Sequence, residues 1–186
     1  MAGTAEVLKA VDRRPNVRYP VLVPNKRGLD DLFALLDQHP SDPPLTNEIS
    51  IFTAATDAFT RANLNTTIAE SLNKLEPVAR AALDRGLRVR GYISVVIACP
   101  YSGKVEPDKV REVAKALVEM GCYEISLGDT VGQGTPDQVS DVIDAVQKSV
   151  SVEKLAVSGT EPVRAQTLMQ TSRGMYVTSV VTLIHN

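Results

Sequence analysis

Residues 121–136 read GCYEISLGDTVGQGTP. Tyr123–Leu127 is a short apolar run of strand character. Gly128, Asp129 and Thr130 close it, and Gly132 and Gly134 punctuate the loop that follows. Thr135-Pro136 then has the form of a helix start, with Pro suited to the first turn. Gln138, three residues after Thr135, completes a capping box. A strand, a loop and a helix thus follow one another closely, with Asp129 where the strand gives way to the loop.

The same unit recurs upstream. Tyr19–Val23 (YPVLV), Glu48–Ala54 (EISIFTA) and Arg88–Ala98 (RVRGYISVVIA) are further β-branched, mostly continuous apolar runs. Such runs suit strands buried on both faces. Between them lie helical patterns. In Pro107–Met120, Val110, Val113, Ala114 and Leu117 recur at helical spacing, and Gly121 suits the C′ position. Val139, Val142, Ile143 and Val146 repeat the pattern in Pro136–Ser149. Thr67 and Glu70 form a second capping box before IAESLNKLEPVARAALDRG, where Pro77 is expected to kink or split the helix. Leu29–Gln38 is a shorter helix candidate. Lys154-Leu-Ala-Val opens a fifth strand.

The strands begin near residues 19, 48, 88 and 123, spacings that fit parallel crossovers and hence an α/β fold. A doubly wound sheet of about five strands fits the length. A (β/α)8 barrel needs about 250 residues, so this chain supplies only part of one. In both architectures ligands meet the loops at the strand C-termini. Those loops are PNKRG, TAATDAFTRANLNTT, ACPYSGK and GDTVGQGTP. Asp129 reads two ways: a carboxylate for a substrate hydroxyl or a metal-bound water, or an Asx turn that satisfies loop amides. Tyr92 sits inside a strand and reads as a layer residue. Cys99 reads as an inert, partly buried thiol, and Cys122, at a strand start, as structural. Arg61, Asn63, Asn65, Thr66 and Thr67 place many donors near a helix N-terminus, as a cap or as an anion site.

Composition excludes several classes. The 186 residues carry a net charge of −2 and only 4% aromatics without Trp, so neither a basic footprint nor a stacking platform for nucleic acid is present. No apolar run approaches the ~18 residues of a membrane helix. The first residues show neither a secretory signal nor a transit peptide, and two cysteines without a Cys-x-x-Cys motif point to a reducing, intracellular compartment. His39 and His185 lack metal-ligand spacing.

Taken together and in order, YPVLVPNKRG, FTAATDAFTRANLNTTIAES, VRGYISVVIACPYSGKVEP and MGCYEISLGDTVGQGTP resemble hydroxymethylglutaryl-CoA lyase, within the divalent-metal TIM-barrel lyases and Claisen-type synthases. The resemblance runs from Met1 to about Ala156. It implies a partial (β/α)8 barrel of about four to five β/α units, with a lyase domain over residues 1–156 and a divergent tail over 157–186. It implies retro-Claisen cleavage of 3-hydroxy-3-methylglutaryl-CoA to acetyl-CoA and acetoacetate, in leucine catabolism and ketone-body formation. Many family members are mitochondrial. Asp129 matches an active-site aspartate; Asn63, Thr67, Tyr92 and Thr130 match positions lining the acyl-CoA channel.

The family's Mg²⁺ or Mn²⁺ is held by an Arg-Asp-Gly strand, a His-x-His-Asp strand end and an Asn, and none of these is found in this chain. Where His-x-His-Asp is expected, Val157, Ser158, Gly159 and Thr160 stand. The catalytic Cys loop is likewise absent, and Cys99 belongs to a different loop. Three expectations compete: a truncated and inactive lyase, a non-catalytic module pairing with a second copy or a full-length homologue, and a small doubly wound ligand-binding domain. A half-barrel with open edges is also expected to be marginally stable or prone to aggregate.

Overall fold

The computed structural model describes residues 3–14 and 17–159. The elements are α1 (Thr4–Ala10), β1 (Val21–Leu22), α2 (Lys26–Gln38), β2 (Glu48–Ala54), α3 (Asp57–Leu64), α4 (Ile68–Asp84), β3 (Arg88–Ser94), β4 (Ala98–Cys99), β5 (Gly103–Lys104), α5 (Pro107–Glu119), β6 (Glu124–Gly128), α6 (Pro136–Gln147) and β7 (Leu155–Ser158). β7 is the expected fifth strand, and it runs two residues past the boundary at 156. From residue 160 onward the expected tail lies outside the described residues.

The main sheet has the order β1-β2-β3-β6-β7, and every neighbouring pair is parallel. Position in the sheet therefore follows position in the chain. A doubly wound sheet reverses its strand order partway and carries helices on both faces. Here there is no reversal, which overturns the doubly wound reading. The helices confirm the winding. Thr53 on β2 meets Ser71 of α4, the α carbon of Gly91 on β3 faces Leu117 of α5, and Leu127 on β6 lies with Val139 and Val142 of α6. Register places Thr53, Ile93, Leu127 and Val157 on one row, so α4, α5 and α6 cover the same face. The core lies between this face and the helices, centred on Ile49, Ile51, Val89, Ile93, Ile125 and Leu127.

Identical turns return the chain from helix to strand. After α4, Gly86 takes φ 80°, its N–H donates to Leu83 O, and Leu87 N–H donates to Ala82 O. After α5, Gly121 takes φ 99°, its N–H donates to Val118 O, and Cys122 N–H donates to Leu117 O. Both are Schellman motifs, which require a residue free to adopt the left-handed region. Pro77 neither splits nor ends α4; Leu75, Val78, Ala79 and Ala82 are buried along one continuous helix. Their burial offsets the hydrogen bond that proline cannot donate.

Both capping boxes form. Thr67 Oγ1 accepts from Glu70 N–H while Glu70 Oε2 accepts from Thr67 N–H at 2.9 Å. Thr67→Ala is expected to cost about 1 kcal/mol, read by urea unfolding. The Thr67 amide, followed by the Thr66 and Thr67 hydroxyls, holds the Glu70 carboxyl below its ordinary value. A depressed carboxyl contributes stability that is present above the unfolded value and lost as pH falls through the folded one. The deficit of Glu70→Gln should therefore be full at neutral pH and vanish once acid protonates the native carboxyl. A deficit that persists unchanged in acid would contradict this.

Candidate active site

Parallel strands put all their C-terminal ends at one edge, and there the loops are laced together. Ala55 N–H, just after β2, donates to Ser94 O at the end of β3 (3.0 Å). Thr56 caps α3 by accepting from Phe59 N–H, and its hydroxyl donates to Cys99 Sγ at 3.1 Å. Val95 N–H donates to Thr130 Oγ1 at 2.9 Å, and Val96 N–H donates to Gly128 O at 3.1 Å. Asp129 N–H donates to Ser158 O at the end of β7 (2.9 Å). The exits of β2, β3, β6 and β7 thus form one connected rim.

Asp129 sits at its centre, only 5% exposed. Oδ1 accepts from Gly132 N–H at 3.1 Å and Oδ2 from Gly134 N–H at 2.9 Å. The carboxylate gathers its loop, and each oxygen keeps a further lone pair. Beneath it Val96, Ile97, Leu127, Val139, Val142, Ile143 and Val157 enclose only about 10 Å³, so it rests on a packed floor.

The other candidates are placed differently. Tyr92 lies on the sheet face away from the helices, in register with Phe52 and Ser126. Burial raises its phenol above the ordinary value, opposed by the Arg90 guanidinium 5.1 Å from its ring. Thr130 turns its hydroxyl to Val95. Asn63 is exposed on α3 and donates to Phe59 O; Thr67 is engaged in its capping box. Among the described residues no hydrogen bond joins Asn63 or Thr67 to Tyr92 or Asp129.

The face that carries Tyr92 and Phe52 is charged toward the strand starts. Ser50, Arg90 and Glu124 share one row, and Arg90 pairs with Glu124. Glu48 accepts from the Tyr123 hydroxyl at 2.6 Å. These charges lie toward the strand N-termini, the end of such a sheet that carries stability rather than chemistry.

Sequence reasoning passed over Thr56, Val95 and the β4–β5 hairpin. The Thr56-Asp57 pair before α3 is a cap signal that could have revealed that helix. Cys99, like Cys122, is a buried free thiol. Burial pushes it up, but the Ser102 and Thr56 hydroxyls and the Tyr101 and Ser102 amides together outweigh burial and bring it below the ordinary thiol value. Burial pushes Cys122 up to about 12. With iodoacetamide at mildly alkaline pH, Cys99 should be alkylated before Cys122, because the thiolate is the nucleophile. Peptide mapping by mass spectrometry reads the order, and prior modification of Cys122 would refute it.

A parallel sheet wound in one direction, with its helices on one face and a laced C-terminal rim, is a segment of a (β/α)8 barrel. The HMGL-like family model matches residues 6–159, and the chain belongs to that family. It is 47% identical over 157 residues to the mitochondrial hydroxymethylglutaryl-CoA lyase of Bos taurus, covering 84% of this chain and 46% of that protein. It is 45% identical over 157 residues to the cytoplasmic 3-hydroxy-3-methylglutaryl-CoA lyase of Rattus norvegicus, covering 84% of this chain and 43% of that one. The HMG-CoA lyase structure from Brucella melitensis superimposes with a TM-score of 0.83 at 38% identity, over 95% of this chain and 60% of that chain. That from Pseudomonas aeruginosa gives 0.77 at 42% identity, over 86% and 50%. The chain spans about half the length of the curated relatives it matches.

Proposed function

We propose that this chain is a portion of a hydroxymethylglutaryl-CoA lyase, acting on 3-hydroxy-3-methylglutaryl-CoA. The observation that carries the reading is sequence identity of 42–47% over 157 residues to lyases of this one activity from two compartments. In the reaction the tertiary hydroxyl loses its proton and the bond from its carbon to the CH₂ beside the thioester breaks. Acetoacetate leaves, and the electron pair remains on the acetyl-CoA enolate, which a proton then quenches.

The roles assigned to this chain are positional. Asp129, fixed by two amides on a packed floor, presents its remaining lone pairs to the substrate. Tyr92 stands on the inner face, and Asn63, Thr67 and Thr130 line the approach of the acyl-CoA. The divalent cation that the resemblance implies, Mg²⁺ or Mn²⁺, finds no fitting holder here. Among the described residues no group of three or more His, Cys, Asp or Glu side chains is arranged for a metal.

Purified chain titrated with the thioester in a calorimeter, then assayed for acetoacetate with Mg²⁺ or Mn²⁺, tests the reading. Binding without acetoacetate is expected. Absence of binding overturns the substrate assignment, and acetoacetate production overturns the argument from the donor set. The missing donor cluster also favours a second reading, a non-catalytic module that pairs with a complete lyase. Co-purification with a full-length homologue supports it, and separate elution sinks it.

A further inference from the structure

Val95 is buried, β-branched and left-handed, with φ 55°. Asn65 is the other described non-glycine residue with positive φ, and it caps the end of α3, where Asn is at home. A valine there is a genuine outlier, held only where its surroundings over-determine it. Two bonds hold it. Its own N–H meets the Thr130 hydroxyl at 2.9 Å, and the next amide, Val96, meets Gly128 O at 3.1 Å. This turn ends β3 at Ser94 and folds Ile97 beneath the β6 exit. A β carbon on Gly134 would lie 3.2 Å from Ile97 Cγ1 and 2.9 Å from Asp129 Oδ2, so Ile97 and the carboxylate leave no room for a side chain at Gly134.

We propose that Thr130 is a positioning residue: its hydroxyl clamps Val95 in the left-handed conformation, and the clamped turn sets where the Asp129 carboxylate stands. An extended Val95 continues the strand and withdraws Ile97 from under Gly134. The Gly134 amide and the Asp129 oxygen it serves then lose their floor. Thr130 thus acts on the site through backbone geometry: its hydroxyl accepts from Val95 N–H and lies 3.5 Å from Gly128 O, to which it donates. Only the catalytic consequence rests on the lyase reading; the clamp itself does not.

Amide exchange followed by NMR on the full chain tests it. Thr130→Val keeps the shape and removes the hydroxyl. It should speed exchange at Gly132 and Gly134 about tenfold or more, while Ile93 and Leu127 in the strands stay protected. Thr130→Ser, which keeps the hydroxyl, should match the parent. In Val95→Gly a left-handed turn needs no clamp. The double variant Val95→Gly/Thr130→Val should therefore recover protection at Gly132 and Gly134. That recovery is one a merely structural threonine would not show. Unchanged exchange in Thr130→Val, a uniform rise across the whole sheet, or no recovery in the double variant overturns the proposal. If Thr130→Val alone does not fold, Val95→Gly is the reference: equal protection of both glycines in Val95→Gly and in the double variant supports the clamp, and lower protection in the double variant refutes it. Titration with 3-hydroxy-3-methylglutaryl-CoA runs alongside. Exchange behaving as stated with no thioester binding by the parent leaves the clamp standing and removes the lyase reading.

Discussion

Leu117→Ala is expected to destabilise the chain by about 2–5 kcal/mol, in the range for emptying a leucine site in a packed core. Leu117 is fully buried on α5, where the helix crosses Gly91 of β3. That glycine is what lets the helix approach. A β carbon there would lie 3.1 Å from Leu117 Cδ1, 3.2 Å from Ile125 Cδ1 and 3.3 Å from Cys122 Sγ. Gly91→Ala alone should therefore cost about 1–3 kcal/mol by overpacking. The Leu117→Ala background removes the nearest of these three contacts and leaves room for Ile125 and Cys122 to give way, so the double variant should cost less than the sum of the singles. Urea unfolding at constant m-value reads all four corners, and each kcal/mol moves Tm by about 2–4 °C at this size. Strict additivity would mean that Gly91 and Leu117 do not share one site.

This pair also shows which parts of the fold could be read from sequence. The periodic helices and the continuous strands were legible because each repeats one physical requirement along the chain. β2 occupies the expected Glu48–Ala54, and α5 and α6 start at the expected prolines. Strand ends were less legible. Strand character carries on from Ile93 through Val95, Val96 and Ile97, yet β3 stops at Ser94, because Val95 turns left-handed under a hydroxyl 35 residues away. Nothing local in ISVVIA signals that turn. Ala98–Cys99 pairs instead with Gly103–Lys104 in a small antiparallel hairpin. Tyr19–Val23 shrinks to Val21–Leu22 between Pro20 and Pro24, although Val23 N–H still reaches Ser50 O. α1 and α3 went unseen because short helices offer too few turns for a period to emerge. The barrel-like winding, one of two architectures open to spacing alone, needed the strand order itself.

The aspartate that opens the β6 loop was legible as a position but not as a structure, and its loss is the second large effect. Asp129→Asn keeps the shape but offers one oxygen to two amides. Whichever of Gly132 and Gly134 meets the new NH₂ loses a charge-assisted bond and faces a donor, at a cost of about 1.5–3 kcal/mol. The two glycines separate tethering from placement. Gly132 has φ 72°, so Gly132→Ala is a backbone penalty of about 1–2 kcal/mol that leaves the carboxylate in its place. Gly134 is no such outlier, but its β carbon would stand 2.9 Å from Asp129 Oδ2. Gly134→Ala must therefore push aside the carboxylate or Ile97, both buried, at about 1–3 kcal/mol. Urea unfolding should rank Asp129→Asn as at least as costly as either alanine. Thioester titration should go further: if Asp129 presents lone pairs to the substrate, Gly134→Ala weakens binding while Gly132→Ala, at similar stability, does not. Equal binding by both variants would reduce Asp129 to the tie that gathers its own loop.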